Sequence, residues 1–445
     1  MSTLQTPTAQ AEVLPLQHGP TPTRFRWVVL TLVFLAITIN YVDRLVMGIL
    51  AGDLQKLYRI DDVQYGYIQG AFALSYAAGQ LAAGAWLDRV GTRIGYTLSL
   101  LGWSIASMLH AVARGPWGFG IMRGLLGVSE SPAYPAATKT LAEWFPRRER
   151  ALAMGFVNAG SNVGAILAPL AVPWLAVNYG WEWAFIGTGG AGLIWLFLWV
   201  PLYRRPEEHP RVSAAELAHI QSDPPEPTGK VRWAKLLTYK QAWAFAIGKF
   251  LTDSMWWFYM TWFPKFLYDH HQLNLKTIGL PLVVVYVMAD VGSIAGGWLS
   301  SSLIHRGWGV NAARKTALLI CAVAIVPVMF AQNVTGLWGA VALLGLATAS
   351  HQGFSSNLYT LVSDTFPKRA VGSVAGLGGT CGYVGATIFQ IIVGYSVEQH
   401  NNYIVPFVCS GLAYLAAFAA IQILAPRLAA AVIENTPSDA PSGAR

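Results

Sequence analysis

Charged side chains are scarce in this chain. Asp, Glu, Lys and Arg make up 12% of its 445 residues, against 54% hydrophobic residues, whereas soluble domains carry roughly 25% charged residues. This deficit excludes an ordinary water-soluble domain. Together with the positive mean hydropathy of +0.43, it predicts a protein that lies in a membrane.

Cysteine is also scarce, with 3 in the whole chain. Cys321, Cys381 and Cys409 all lie in apolar segments at unrelated spacings. This pattern excludes a disulfide framework and a cysteine-based metal centre. We expect these residues to be small side chains of the core.

Motifs typical of enzymes and sensors are absent from the sequence. It has no His/Cys/Asp metal cluster, no Gly-x-Ser-x-Gly turn and no phosphate-binding loop. After Arg427 only a short polar tail follows, with no signalling domain. A membrane-embedded enzyme and a sensor are therefore less favoured than a carrier, and no cofactor is expected.

Long apolar segments are what the chain has in abundance. A helix crosses the hydrocarbon core with about 20 apolar residues, and twelve segments approach or exceed that length. They cover residues 27–50, 64–87, 94–113, 117–141, 151–176, 183–203, 241–267, 277–304, 314–332, 336–363, 370–396 and 402–425. The sequence therefore predicts an all-α membrane protein with twelve transmembrane helices.

A polar stretch divides these spans into two groups of six. Residues 204–240 contain prolines and both signs of charge, as linkers do, and the capping-box spacing of Ser213 and Glu216 predicts a short surface helix there. Residues 1–23 lack the features of a signal peptide. The predicted order is a disordered cytoplasmic tail at 1–23, a six-helix bundle at 24–203, a cytoplasmic linker at 204–240, a second bundle at 241–426 and a cytoplasmic tail at 427–445.

The net charge of +8 is unevenly distributed along the chain. Most of the 30 lysines and arginines fall in alternate polar segments, on the same side as both termini. This positive-inside pattern predicts that both termini are cytoplasmic. The basic charge thus indicates membrane orientation, and we expect no nucleic-acid partner.

The two halves of the sequence resemble each other. The matching runs are Phe-Pro-Arg-Arg-Glu-Arg-Ala-Leu-Ala-Met-Gly at 145–155 and Phe-Pro-Lys-Arg-Ala-Val-Gly-Ser-Val-Ala-Gly at 366–376. The same offset aligns Glu130 with His351, and a looser alignment sets Asp43 opposite Asp253. Such a duplication predicts two pseudo-symmetric bundles that rock around a central site.

The loop between the second and third spans carries a family signature. Residues 84–93 read Gly-Ala-Trp-Leu-Asp-Arg-Val-Gly-Thr-Arg, which resembles the Gly-x-x-x-Asp-Arg-x-Gly-x-Arg loop of the major facilitator superfamily. Glycines allow close helix approach, and an acid beside arginines can fasten one conformation. The resemblance implies a conformational latch built from Asp88, Arg89 and Arg93.

Four further runs resemble the anion:cation symporter group of that superfamily, and the last two of them look most similar to its hexuronate carriers. They lie at 40–44, 123–135, 249–258 and 357–369, within a resemblance that covers about residues 25–425. The resemblance implies a monomer of the cell inner membrane that imports a sugar acid, such as galacturonate or glucuronate, with protons as the coupling ion. Galactonate, glucarate or a similar organic anion is the alternative substrate.

Ionisable residues inside the predicted spans are candidates for that chemistry, because a charge in the hydrocarbon region is costly unless it faces a partner or a water-filled cavity. Arg123 and Glu130 share one face of the fourth span, being about two helical turns apart. Arg44 is the candidate receptor for the substrate carboxylate, since a guanidinium offers a bidentate fork. The resemblance implies that Asp43 and Glu130 carry protons and that Arg123 modulates Glu130. The alternative for Arg44 is a structural ion pair between the first and fourth spans, and the alternative for Glu130 is a hydrogen bond that packs two helices together.

Polar and aromatic residues in other spans are candidates for the sugar. Tyr41, Tyr76, Asn158 and Asn162 in the first half, and Asp253, Trp257 and Asn357 in the second, are candidates for substrate contact. Polar residues within spans often join helices instead, and Lys249 with Asp253 at i, i+4 can be a self-neutralising pair. Since the second half has no matching Asp-Arg and Arg-Glu set, we expect proton handling in the first half and sugar discrimination in the second.

Overall fold

The computed structural model of the protein describes residues 23–223 and 236–428. These two ranges are helical throughout, with short connections and no β-strand. The predicted tails lie outside them apart from residues 23, 427 and 428, as do residues 224–235 of the predicted linker.

The first half forms a bundle of eight helices. In chain order they are α1 (Phe25–Ile49), α2 (Ala51–Tyr58), α3 (Asp62–Val90), α4 (Thr92–Leu109), α5 (Gly115–Glu130), α6 (Ala133–Trp144), α7 (Arg147–Tyr179) and α8 (Trp181–Leu202). The start of α3 is fixed by a capping box: Asp61 Oδ1 accepts from Gln64 N at 2.7 Å, and Gln64 Oε1 accepts from Asp61 N at 3.2 Å.

The fourth predicted span is not one continuous helix. Helix α5 ends at Glu130 and α6 begins at Ala133, with Ser131 and Pro132 in a turn between them. Proline lacks a backbone N–H and clashes with the preceding helical turn. The prediction of one uninterrupted helix over 117–141 was therefore wrong. The break sets Glu130 at a helix end inside the bundle.

The second half repeats the arrangement. After the linker helix α9 (Ala214–Ile220), it consists of α10 (Lys240–His271), α11 (Gly279–His305), α12 (Val310–Ala324), α13 (Leu337–Thr365), α14 (Lys368–His400) and α15 (Ile404–Leu424). Helix α12 continues as a 3₁₀ helix, Val326–Asn333, that opens with Pro327.

Every predicted span overlaps a helix, but by length and composition only part of them are apolar enough to cross a membrane. Within the described residues, seven segments meet that requirement. They are Phe25–Ile49, Arg147–Tyr179, Trp181–Leu202, Gly279–His305, Val310–Asn333, Ala370–His400 and Ile404–Leu424. The count of twelve crossings therefore stays a prediction.

Glycine contacts reveal the internal symmetry. A Cβ added to Gly164 of α7 would lie 2.5 Å from Thr38 O of α1, and one added to Gly385 of α14 would lie 2.4 Å from Phe250 O of α10. Both helix pairs therefore pack backbone against backbone at matching glycines. The equivalence of Thr38 and Phe250 shifts the looser sequence alignment by two residues. Asp253 is then no longer opposite Asp43, and Trp256 occupies the place equivalent to Arg44.

The two halves meet closely at one end of the bundle. A Cβ on Gly66 of α3 would lie 2.7 Å from Gln390 O of α14, so these helices touch through their backbones. Lys265 of α10 forms an ion pair with Asp62 at the start of α3, at 3.0 Å. These contacts close the end of the bundle where α3 begins.

The opposite end of the α3–α14 interface is open. A cavity of about 840 Å³ lies between the two helices there. It is lined by Gln80, Leu81, Gly84, Ala85, Asp88, Arg89 and Ser373. The bundle is thus closed at one end and accessible at the other.

The start of the linker is folded onto the first bundle. Ser213 caps α9 by accepting from Glu216 N at 3.2 Å, as its spacing predicts. Glu216 is fully buried, however, and accepts from the backbone N–H groups of Phe25 and Arg26, both at 3.1 Å. Its carboxylate thereby satisfies the first turn of α1, where anions are favoured, so α9 is a docked helix rather than a free surface helix.

Candidate functional site

Arg44 and Glu130 form a buried ion pair in the middle of the bundle. Glu130 Oε2 accepts from Arg44 Nε at 3.0 Å and from Nη2 at 2.8 Å, and Nη2 also donates to Asn40 Oδ1 at 3.0 Å. Arg44 is 5% exposed and Glu130 is fully buried. The guanidinium thus already holds a carboxylate, the group that a sugar acid would present.

Aromatic rings from both halves surround the Arg44 guanidinium. Its Cζ lies 4.9 Å from the ring centroid of Tyr41, 5.2 Å from Tyr76 and 5.5 Å from Trp257, all within cation–π range. Tyr383 of α14 stacks on Tyr76 with centroids 4.3 Å apart. The structure therefore brings the predicted residues Tyr41, Tyr76 and Trp257 to the predicted receptor, at the contact between the two bundles.

Arg123 packs against Phe72 and, in the described structure, forms neither a hydrogen bond nor an ion pair with Glu130. Its Nη2 donates to Gln69 Oε1 at 2.6 Å, its Nη1 to Arg44 O at 3.3 Å, and its Cζ lies 4.5 Å from the Phe72 centroid. Gln69 in turn donates to Tyr65 OH at 2.8 Å. Arg123 is therefore connected to the Arg44–Glu130 ion pair through the backbone carbonyl of Arg44.

Asp43 faces away from its neighbour Arg44, as their angular separation on a helix predicts. Its Oδ1 accepts from Ser107 of α4 at 2.9 Å. Its Oδ2 and the Glu130 Oε1 atom are both buried without a hydrogen-bond partner among the described residues. Each acid therefore has one buried oxygen without a hydrogen-bond partner in this part of the structure.

The two asparagines predicted for the first half lie in less central places. Asn158 is exposed, and its Oδ1 accepts from Tyr134 OH at 3.1 Å. Asn162, one turn further along α7, is half-buried. The alignment of the halves pairs Asn162 with Tyr383, which does reach the Arg44 site.

The predicted residues of the second half divide between the site and the packing. Asn357 is 1% exposed, and its amide donates to Gly296 O and Gly353 O, both at 2.9 Å, so it joins α13 to α11. Asp253 pairs with Lys249 at 2.7 Å. Only Trp257 touches Arg44 among these second-half candidates.

The predicted latch residues all lie at the end of α3 and the start of α4, at the open end of the α3–α14 interface. Asp88 pairs with Lys139 of α6 at 2.9 Å, and Arg93 donates to Val200 O of α8 at 2.7 Å. Arg89 lines the open cavity with Asp88. Asp88 therefore fastens α3 to α6 within the first bundle.

Several residues of the site were missed from the sequence. Asn40, Gln69, Phe72 and Tyr383 all contact the charged groups or their aromatic shell. Tyr383 could have been found from the internal repeat, because it aligns with Asn162, which is a candidate in the first half. Asn40 lies one turn before Arg44 and could have been found by its spacing.

This arrangement has the chemistry to bind a small carboxylate. It combines a buried guanidinium, a competing acid and a wall of aromatic rings, and the described residues contain no group of His, Cys, Asp and Glu suited to a metal. Binding sites of carriers lie where two such bundles meet.

Comparisons with known proteins identify the family of the chain. Residues 33–390 match the family model described as the Major Facilitator Superfamily. The chain is 32% identical to the hexuronate transporter of Escherichia coli (strain K12) over 377 residues, 83% of this chain and 87% of that one. It is 31% identical to the D-galactonate transporter of Escherichia coli O6:H1 over 417 residues, 91% and 95% of the two chains.

A solved structure shares the fold. It is a bacterial homolog of the human lysosomal transporter Spinster in an inward-facing and occupied conformation, with a TM-score of 0.71 and 19% sequence identity, covering 91% of this chain and 96% of that one. The resemblance seen in the sequence motifs is confirmed. The chain belongs to the Major Facilitator Superfamily, and it is a multi-pass membrane transporter rather than an enzyme.

Proposed function

We propose that the protein is a secondary active carrier that imports a sugar-acid anion, preferably a hexuronate such as galacturonate or glucuronate, together with protons. The observation that carries the proposal is the Arg44–Glu130 pair of the first bundle, which lies at the contact with the second bundle. Two guanidinium nitrogens of Arg44 donate to Glu130 Oε2, at 3.0 and 2.8 Å. A substrate carboxylate needs the same guanidinium fork that Glu130 occupies.

This competition supplies a coupling mechanism. Protonation of Glu130 removes its charge and weakens its hold on Arg44, so the guanidinium becomes available to the substrate. Release of the substrate returns Arg44 to Glu130, which then favours loss of the proton. Binding of proton and anion are thereby linked, and Asp43 provides a second proton site.

Coupling also has an energetic reason. An anion that enters a negative-inside cell is opposed by about 2.3 kcal/mol per 100 mV. One proton cancels that charge, and a second lets the membrane potential drive uptake. Two acids at the centre of the first half, Asp43 and Glu130, support a carrier that uses two.

Orientation follows from the distribution of basic residues. With twelve crossings and both termini in the cytoplasm, the cavity beside Asp88 opens inward and the Asp62–Lys265 contact closes the outer side. We propose that the carrier works as a monomer in the bacterial inner membrane, alternating by rocking of its two bundles.

The test is uptake of labelled galacturonate by reconstituted protein with and without an imposed proton gradient. We expect accumulation only with the gradient, and equal uptake in both conditions would refute coupling. Arg44→Lys keeps the charge and loses the fork, so KM should rise at least about tenfold, equivalent to about 1.4 kcal/mol. Arg114→Lys is the matched control, since Arg114 donates to the nearby carbonyls of Ala111 and Ala113 and, in the described structure, forms no hydrogen bond or ion pair with Arg44 or Glu130.

Galactonate is the second candidate substrate. The similarity to the D-galactonate transporter extends over 91% of this chain, and galactonate presents the same carboxylate to Arg44. Competition between unlabelled galactonate and labelled galacturonate distinguishes the two: the better competitor at equal concentration is the preferred substrate.

A further inference from the structure

A second charged pair lies on α10, one turn from the Arg44 site. Lys249, Asp253 and Trp257 recur at intervals of four residues and so share one face of the helix. With a rise of about 1.5 Å per residue, Asp253 lies about 6 Å along the axis from Trp257, and Lys249 about 12 Å. Since Trp257 borders Arg44, the pair lies next to the proposed substrate site.

The pair is enclosed by the second bundle. Lys249 Nζ lies 2.7 Å from Asp253 Oδ1, and the two side chains are 6% and 16% exposed. The Lys249 ammonium also lies 4.7 Å from the Tyr359 ring centroid. Asp253 packs against Gly382, where an added Cβ would lie 2.4 Å from Oδ2, and Gly382 precedes Tyr383 of the Arg44 site.

Stability does not account for this pair. Buried ion pairs contribute little net stability, because the cost of removing both charges from water offsets their attraction. Ionisable groups inside a membrane bundle mark substrate or ion pathways by default. The pair is adjacent to a proposed site, so its effect on the charge of the substrate is the relevant question.

We infer that Asp253 makes the carrier selective for sugar acids with one carboxylate, by neutralising Lys249 and facing the far end of the substrate. The inference rests on the proposed function. A six-carbon chain has five C–C bonds of about 1.5 Å, so its ends are on the order of 6 Å apart. A substrate held by Arg44 and extended along α10 therefore brings its far end to the level of Asp253.

Two kinds of far end have opposite interactions there. At the end opposite its carboxylate, a uronate or an aldonate has a hydroxyl group, which can donate a hydrogen bond to the Asp253 carboxylate. The second carboxylate of galactarate or glucarate would face the same acid and be repelled. Repulsion of the wrong ligand is a common source of specificity. Without Asp253, the Lys249 ammonium would instead attract a second carboxylate.

The experiment measures binding to purified full-length protein by ligand-induced thermal stabilisation, with galacturonate, galactonate and galactarate as ligands. For the wild type we expect at least about tenfold weaker binding of galactarate than of the better monocarboxylate. In Asp253→Asn, which keeps the shape and frees Lys249, the ratio should shift toward galactarate by about tenfold or more, equivalent to 1.4 kcal/mol.

Asp269→Asn is the matched control. Asp269 is the i, i+4 partner of Lys265 on the same helix, but it lies at the closed end of the bundle, so its variant should keep the wild-type ratio. Galactarate bound by the wild type as tightly as a monocarboxylate overturns the inference and leaves the proposed function intact. This measurement needs no variant, so it decides the matter even if Asp253→Asn fails to fold. An unchanged ratio in folded Asp253→Asn also overturns the inference. If none of the three acids binds the wild type, the proposed function itself fails.

Discussion

Replacing Glu130 with glutamine removes the carboxylate that competes with the substrate for Arg44 and leaves Arg44 itself unchanged. Glutamine keeps the size and an acceptor oxygen but cannot carry a charge or exchange a proton. In the proposed mechanism Glu130 holds Arg44 until it is protonated. The Glu130→Gln carrier should therefore bind sugar acid at any pH and fail to couple that binding to protons.

The size of the effect follows from the bonds that are lost. Glu130 Oε2 accepts two bonds from the guanidinium, at 3.0 and 2.8 Å, and hydrogen bonds to charged groups contribute about 1.5–3 kcal/mol. Removing that competitor should tighten sugar-acid binding at neutral pH by about 10- to 100-fold, at 1.4 kcal/mol per factor of ten. The ligand-free protein should lose about 3–5 kcal/mol of stability, because Arg44 is left buried without a counterion.

The assay combines thermal stability with transport. Glu130→Gln should melt at a lower temperature than the wild type without ligand and gain more from saturating galacturonate. Exchange of labelled for unlabelled galacturonate should continue, while accumulation driven by a proton gradient should cease. Glu143→Gln is the control, since Glu143 bonds Thr92 and Tyr203 away from the site. A Glu130→Gln carrier whose affinity keeps the wild-type dependence on pH would refute the competition mechanism.

Three further predictions test other parts of the structure. Burial lowers the pKa of His209 from its usual value of 6.5, and its neutral ring accepts from Arg211 N at 3.1 Å. Docking of the linker is therefore fully stable above about pH 6.5 and weakens as the pH falls toward the lowered pKa of His209. Hydrogen exchange of the linker, corrected for intrinsic rates, should be faster at pH 5.5 than at neutral pH in the wild type. In His209→Phe it should not change with pH. Asn357→Ala should cost about 1 kcal/mol of stability, as for a buried hydrogen bond, with an unchanged galacturonate KM; a KM raised tenfold would restore Asn357 as a substrate contact. Tyr383→Ala should weaken galacturonate binding by about 0.5–1.5 kcal/mol through loss of the Tyr76 stack, and equal affinities in titrations of both proteins would contradict its place in the site.

Much of the helical architecture could be predicted because membrane helices must satisfy their backbone internally and be long enough to cross. Composition and segment length therefore carry most of the information. The break at Ser131 and Pro132 was missed, since the apolar character of the segment continues across it while the backbone does not. Docking of α9 was missed because Glu216 looks like a surface acid until its partner, the first turn of α1, is brought to it.

The charges of the site could be predicted, and their pairing only as one alternative, an ion pair between the first and fourth spans. Burial of an ionisable residue in an apolar span is visible in the sequence, so Arg44, Arg123 and Glu130 were identified. Which cation meets Glu130 depends on the rotation of α1 against α5, and helical spacing alone favoured Arg123 on the same helix. The aromatic shell was only half predicted, because Phe72 and Tyr383 look like ordinary packing residues until the two bundles meet.

The internal symmetry shows what the second half has in place of the Arg44–Glu130 ion pair of the first half. The equivalence of Thr38 with Phe250 sets Trp256 in the place of Arg44, and the alignment sets His351 in the place of Glu130. Trp256 and His351 do meet, stacked with centroids 4.7 Å apart and planes 10° from parallel, so the second half keeps the contact and loses the ion pair. A duplicated carrier with two such ion pairs would offer two receptors for carboxylates. This chain has an aromatic stack at the second place and an aspartate beside its nearby lysine, which supports the inference that the carrier binds substrates with one carboxylate.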